Sequence, residues 1–562
     1  MATVTQIRRF RRLIIYTASG LLALFFFLLI FVDRFVEPIL RDRIHTLIVN
    51  GSDSLYTYSL EKLKANFFNG NVEVKNLQVT IDSNRYRILK ERNRLPVLTM
   101  QLDLQQGSIK GVSILSMIFS KKIRIEELRS TKADIKLARH VQIRERRLES
   151  DQPLWKSIQP NIESIAVDRI RLDGIKLLYR NADTAESVKL QFDECNALFE
   201  DIRIDSASTY DTTRIGFTKD ISLRFHDLKF RTADSTYKMK AEWITYSSKD
   251  KILEVDSFKL QPTLEREDFY KVNPAQHSLY YVEFQKVRFV NTRLDRFINN
   301  DVISADSLVF QVPQVSIYLD RSMQPLYESK VGKYPHQKLL SSSAIIDIKT
   351  IRAFNGDMEY IERNAKTLME GKVNFNDFNL IANNVTNDRR LLKNNATCMT
   401  TVEGKLLGNS PFTLGFNFFL DSVNGSYESW GSIQNITTSQ LQPLAASLAN
   451  VQVNGLNINK LDFRIRGRDY DAAGNVKMRY NGLSITLKKT DEETGVVTTK
   501  RFLTKILNKF AMYPENPGPD GTERTSKEAK ALRLSSQSFF GLLWKTIFNG
   551  MQDIMMKSGR YG

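Results

Sequence analysis

From about residue 70 onward the chain alternates. NVEVKNLQVTID places Val72 and Val74 on one parity and Leu77, Val79 and Ile81 on the other. Successive side chains leave opposite faces of a strand, so this period of two predicts a half-buried strand. The parity switch at Lys75-Asn76 predicts a bulge or a tight turn. A looser spacing, apolar at i, i+2 and i+5, recurs at Ile123, Ile125 and Leu128, and at Ile165, Val167 and Ile170. Val282, Phe284 and Val287 repeat it, as do Ile303, Ala305 and Leu308, and Ile346, Ile348 and Ile351. A second alternating run often follows: Ile135 and Leu137, Ile175 to Tyr179, Val315 to Leu319, Met358 and Tyr360. The pattern predicts a strand–turn–strand unit used many times, at irregular intervals, as a degenerate repeat of short antiparallel strands.

The same alphabet continues towards the C-terminus. Phe412, Leu414, Phe416 and Phe418 alternate, and Leu441, Leu444 and Leu448 take helical spacing. Val476, Met478 and Tyr480 then change parity with Leu483, Ile485 and Leu487 at Asn481-Gly482. The Pro- and Gly-rich stretch from Pro514 reads as a flexible linker. After it, Phe540, Leu543, Trp544, Ile547, Met551, Ile554 and Met555 share a helical face. That face either packs on the body or lies at a membrane interface, for which Trp544 and the flanking lysines are suited.

Leu13 to Val32 is twenty residues without a charge, and as a helix it would be about 30 Å long, the thickness of a bilayer core. Arg8, Arg9, Arg11 and Arg12 precede it, and Arg34, Arg41 and Arg43 follow. The bias favours a cytoplasmic N-terminus with the body on the other side. Its length, and the exit FVDRFVEP without a small-x-small site, favour an uncleaved anchor over a signal peptide.

The formal charge is +18, yet the basic residues are spread along the chain between apolar ones. Solvated strand faces explain them better than nucleic acid, with attraction to anionic lipid as a weaker reading. Hydrophobic residues at 42% suffice to bury a core. Cys195 and Cys398 are too few and too far apart for a disulfide framework or a thiolate metal site. His45, His140, His226, His277 and His336 have no second histidine or carboxylate at zinc-ligand spacing. No nucleophile elbow, P-loop or dinucleotide fingerprint occurs. Acid groups such as Glu126-Glu127 and Asp491-Glu492-Glu493 stand in surface-like contexts, so neither an enzyme nor a cofactor is expected. Asn395 and Asn435 match a glycosylation acceptor, which matters only in a glycosylating pathway.

The segment from Ser439 to Lys489, in which LQPLAASLANVQVNG leads into DYDAAGNVKMRYNGLSITL, resembles the C-terminal region of AsmA-like proteins, TamB-type members included. The basic start, single apolar segment and NVEVKNLQV strand agree with that layout, and residues 180–400 agree in style. The resemblance implies a single-pass protein of a bacterial inner membrane with its body in the periplasm. It implies a mostly β fold, an elongated twisted antiparallel sheet curled into a groove, with a few short helices and a C-terminal amphipathic helix. It also implies phospholipid transfer in support of the outer membrane, with the outer membrane or one of its proteins as a further partner. The expected organisation is a basic N-terminus (1–12), an anchor (13–32), a repetitive body (33–400), an AsmA-like β region (401–490), a linker (491–535) and an amphipathic helix (536–558).

An acyl chain of sixteen carbons costs about 13 kcal/mol to expose to water, and an apolar strand face removes most of that without a polar site. The expected lining is Val72, Val74, Ile123, Ile125, Ile135, Leu137, Ile165, Val167, Val282, Phe284, Val315, Ile317, Ile346 and Ile348. Phe540, Leu543, Trp544 and Ile547 are the expected membrane-interface residues. Periodicity alone fits a closed sandwich core equally well, and that would suit an envelope scaffold that binds other proteins.

Overall fold

The computed structural model describes residues 48–557 except 50–51, 67–69, 93, 97, 113–121, 141–162, 182–187, 212, 216, 233, 301, 450, 491–496, 501–503, 505–507 and 509–510. The expected anchor, Leu13–Val32, lies outside the described residues. No helix within them is long and apolar enough to cross a membrane. The protein is mostly β, 61% strand, with few helices. It divides into two compact units, one formed by residues up to 258 with 290–301, the other by 259–289 with 302–562.

The strands in chain order are β1 (Tyr56–Asn66), β2 (Asn71–Ile81), β3 (Leu98–Lys110), β4 (Lys122–Arg139), β5 (Ser164–Asn181), β6 (Val188–Ile204), β7 (Thr218–Arg231), β8 (Tyr237–Ser247) and β9 (Ile252–Pro262). They continue with β10 (Ser278–Val290), β11 (Val302–Gln311), β12 (Gln314–Asp320), β13 (Ile345–Arg363), β14 (Glu370–Thr386), β15 (Thr397–Leu406) and β16 (Ser410–Phe419). The last are β17 (Tyr427–Ile436), β18 (Val451–Gly467), β19 (Asp471–Thr490), β20 (Val497–Thr499) and β21 (Thr525–Leu532). In the first unit, β1 to β4 pair antiparallel in sequence, β4 pairs parallel with β5, and β5 to β8 are antiparallel again. In the second, β10 pairs antiparallel with β12, while β11 and β12 both pair parallel with β13. From β13 to β19 every pair is antiparallel, and β21 adds to β19.

The sheets are therefore mixed, which corrects the expectation of an antiparallel one. The parallel pairs join copies of the repeat, position for position. Ile123, Ile125 and Leu128 face Ile165, Val167 and Ile170. Ile303, Ala305 and Leu308 face Ile346, Ile348 and Ile351 in the same way. Parallel neighbours need a crossover of a dozen residues or more. Residues 140–163 and 321–344, the charged stretches between repeats, are long enough to supply it.

The second correction concerns the repeat itself, which is one long kinked strand in β4, β5 and β13. Each kink is a residue in left-handed conformation: Lys132 (φ 54°), Gly174 (φ 64°) and Asn355 (φ 53°). Such a residue reverses the side-chain alternation without turning the chain, so the run after the kink, Ala133, Ile135 and Leu137 in β4, faces the same side as Leu128 before it. Asn76 (φ 49°) does this at the parity switch of β2, and Gly482 (φ 69°) in β19. Asn, Asp and Gly tolerate that conformation best, and an asparagine on the neighbouring strand accepts from the amide at two of the kinks. The Gly174 amide donates to Asn196 Oδ1 at 2.7 Å, and the Asn355 amide to Asn379 Oδ1 at 3.2 Å. Only β11 and β12 are truly broken apart, at Val312 (φ 48°) and Pro313, which has no ladder donor.

The Pro514 stretch is not a loose linker. Asn516 is buried, and its Nδ2 donates to the Met478 and Arg524 carbonyls at 2.6 and 2.9 Å, fastening the stretch to β19. The helix Phe539–Met555 follows, its N-terminus capped by Ser538 Oγ, which accepts from the Gly541 amide at 3.1 Å.

Candidate functional site

The kinks have a consequence across strands: apolar positions align into rows perpendicular to the chain. In the first unit one row runs Leu60, Leu77, Leu104, Ala133, Ile175, Cys195, Phe225, Ile244, one residue from each of β1 to β8. A second runs Val72, Ile109, Leu128, Ile170, Phe199, Ile221. Ile123 pairs with Ile165, and Ile125 with Val167. Val74 and Ile135 join the same apolar clusters, and Leu137 follows Ile135 by two, on its face. All eight expected residues of this unit thus lie on one apolar face. Cross-strand neighbours are about 4.8 Å apart, so each of these two rows is a continuous apolar band.

The face is filled at β4 and β5. Ile123, Ile125, Ile165 and Val167 are between 0% and 2% exposed, the packing of a core. Towards β7 and β8 it opens, with Phe225, Leu228, Phe230 and Ile244 half-buried.

In the second unit Val282, Val315, Met358 and Phe375 make one row, and Tyr280, Ile317, Tyr360 and Val373 the next. Phe284 stands with its ring 4.8 Å from that of Phe310. Ile346 pairs with Ile303, and Ile348 with Ala305 and Val385. Of the six expected residues here only Ile348 is buried; the others are half-buried. Further along, the row Leu380, Val402, Leu414, Gly431, Phe463, Val476 leads into a dense core. The helix Thr438–Ala449 touches both β14 and β18 there, and the C-terminal helix packs on β18, β19 and β21.

The alternate positions of β10 to β14 are mixed: Leu279, Tyr318 and Ile361 form a row that packs with Phe269 and Tyr270 into a small core, and beside it lies a set of polar residues that sequence reading passed over. A pocket of about 410 Å³ is lined by Glu283, Gln314, Ser316, Asp357, Glu359, Lys372, Asn374 and Asn376, among others. Its charges are largely spent on one another. Lys372 pairs with Glu359, which also accepts from Ser316 Oγ at 2.8 Å. Burial pushes the Glu359 carboxyl up, but these partners outweigh it and hold it below the ordinary value. Asn376 Nδ2 donates to Asp357 Oδ1 at 3.1 Å. No group of metal-ligating side chains occurs among the described residues.

The C-terminal helix is seated on a buried polar node. The Arg533 side chain is 0% exposed; its guanidinium donates to the Asp469 and Lys330 carbonyls at 3.0 and 2.6 Å, and Nε donates to the Gln537 carbonyl at 3.0 Å. It lies 4.3 Å over the Tyr334 ring, whose hydroxyl burial pushes up to about 12. Leu543 and Ile547 are buried on this seat, whereas Phe540 and Trp544 are 59% and 57% exposed. The expected interface face is therefore split: the true seat is Phe539, Leu542, Leu543, Thr546, Ile547, Gly550, Met551 and Ile554. Only tertiary packing chooses between two apolar faces of one helix.

No protein-family model matches the chain, and no curated protein matches it.

Proposed function

We propose that the chain is a membrane-anchored lipid-binding protein of AsmA-like type, which holds phospholipid acyl chains against its apolar rows and conducts them along the sheet. On this reading Leu13–Val32 is a single anchor in a bacterial inner membrane, with the N-terminus cytoplasmic and the body in the periplasm. The carrying observation is the pair of apolar rows through Val315 and Ile317, which are half-buried except for the exposed Tyr280 and lie on the face away from the small core of Leu279 and Tyr318. Such rows accept any acyl chain, because burial of methylenes at about 0.8 kcal/mol each needs no directional partner. The head group stays in water, and no catalytic group is required. Outer-membrane lipid supply is the role that fits a conduit in that place.

A second reading, an envelope scaffold without lipid, is favoured by the filled face at Ile123, Ile125, Ile165 and Val167. Native mass spectrometry of the full-length chain separates the two. Val315→Asp with Phe375→Asp should strip bound phospholipid, whereas Asn376→Asp on the opposite face should keep it. A folded wild-type chain with the same lipid complement as the double variant would leave the scaffold.

A further inference from the structure

We propose that the outer face of the C-terminal helix is a docking surface for an anionic lipid bilayer. The helix Phe539–Met555 has its seat on β18, β19 and β21, so its outward face would ordinarily be charged. It carries instead Phe540, Trp544 and Phe548 at intervals of four, which puts all three on one stripe. They are 59%, 57% and 40% exposed, and the Trp544 and Phe548 rings stand 6.0 Å apart. Leu532 and Leu534, 76% and 66% exposed, lie where β21 runs into the helix. Lys545 Nζ donates to the Leu532 carbonyl at 3.1 Å, which brings a lysine to the aromatic stripe.

The charge around the stripe selects the occupant. Between Thr525 and Lys557, leaving out the buried Arg533, there are four basic residues, Lys527, Lys530, Lys545 and Lys557, and two acidic ones. Both acids are engaged, Asp553 accepting from Ser526 Oγ at 2.7 Å and Glu528 pairing with Lys530 at 3.0 Å. A ridge of rings with lysines beside it is the composition of an interfacial helix: rings enter the head-group layer and lysines meet lipid phosphates. The ridge is convex and not a groove, so it suits a fluid surface better than a shaped protein partner. The surface stands apart from lipid passage along the rows, and either reading survives without the other.

The test uses the full-length chain in phosphatidylcholine nanodiscs, mixed with separate vesicles and floated on a density gradient. Vesicles of phosphatidylglycerol and phosphatidylcholine in equal parts should carry the chain up, and pure phosphatidylcholine vesicles should carry much less. Phe540→Ser with Trp544→Ser and Phe548→Ser should cut the floated fraction about tenfold at an unchanged melting temperature. Should that variant melt early, Trp544→Ser alone serves, with a loss of about threefold expected. Equal flotation of variant and wild type, or no flotation of wild type, overturns the proposal. So does a wild-type dimer that the substitutions abolish without any vesicle binding, which would give the face to a second copy.

Discussion

His336 is 3% exposed, stacked 5.0 Å from the Phe418 ring, and neither ring nitrogen has a hydrogen-bond partner among the described residues. Burial lowers its pKa from 6.5 to about 4, with the Asp469 charge pulling the other way. Below pH 6.5 the unfolded chain takes up a proton that the folded chain refuses, so stability falls as the pH drops towards 4. The loss is on the order of 3 kcal/mol. His336→Phe keeps the ring stack and removes the titration. Melting curves between pH 7 and pH 4 should therefore slope less for the variant than for the wild type; equal slopes would contradict the burial of a neutral imidazole.

At the scale of elements, the seat of the C-terminal helix depends on Gly550. A Cβ there would stand 2.4 Å from Val476 Cγ2 and 3.0 Å from Ala529 Cβ, both residues being fully buried. Alanine improves helix propensity by about 1 kcal/mol, but overpacking a rigid core costs about 1–3 kcal/mol. Gly550→Ala should lower stability by up to about 2 kcal/mol and raise protease cleavage at residues 534–538. Unchanged melting and cleavage would mean that the helix is not held against β19 and β21. The kinked strands obey the same local logic. The parity switch at Asn76 was legible as a bulge or a turn, but choosing the kink required seeing β1 and β3 continue past it on either side.

For the whole molecule, the apolar face combines two regimes that periodicity renders identically. Ile125, at 0% exposure, is core, so Ile125→Asp leaves a buried unpaired charge and should cost on the order of 4 kcal/mol or more. Val315 is half-buried, so Val315→Asp should cost about 1 kcal/mol. Thermal melting and limited proteolysis should find the first variant unfolded in its unit and the second intact. Equal damage would place Val315 in a closed core and remove the support for a lipid face there.

Alternation, the i, i+2, i+5 spacing and the Asn and Gly at parity switches determined that the chain is built from strands with one apolar face, because those are local consequences of a pleated backbone. They also determined which residues share that face: each of the eight expected in the first unit lies on it. Tertiary structure alone decided that Ile123 pairs with Ile165 in parallel, since pairing depends on chain crossovers that leave no period in the sequence. It alone decided that Ile125 is sealed while Val315 is half-buried, and that the C-terminal helix seats Leu543 and leaves Trp544 exposed. Hydrophobicity states that a side chain gains by leaving water; what covers it is settled only by which distant segments arrive.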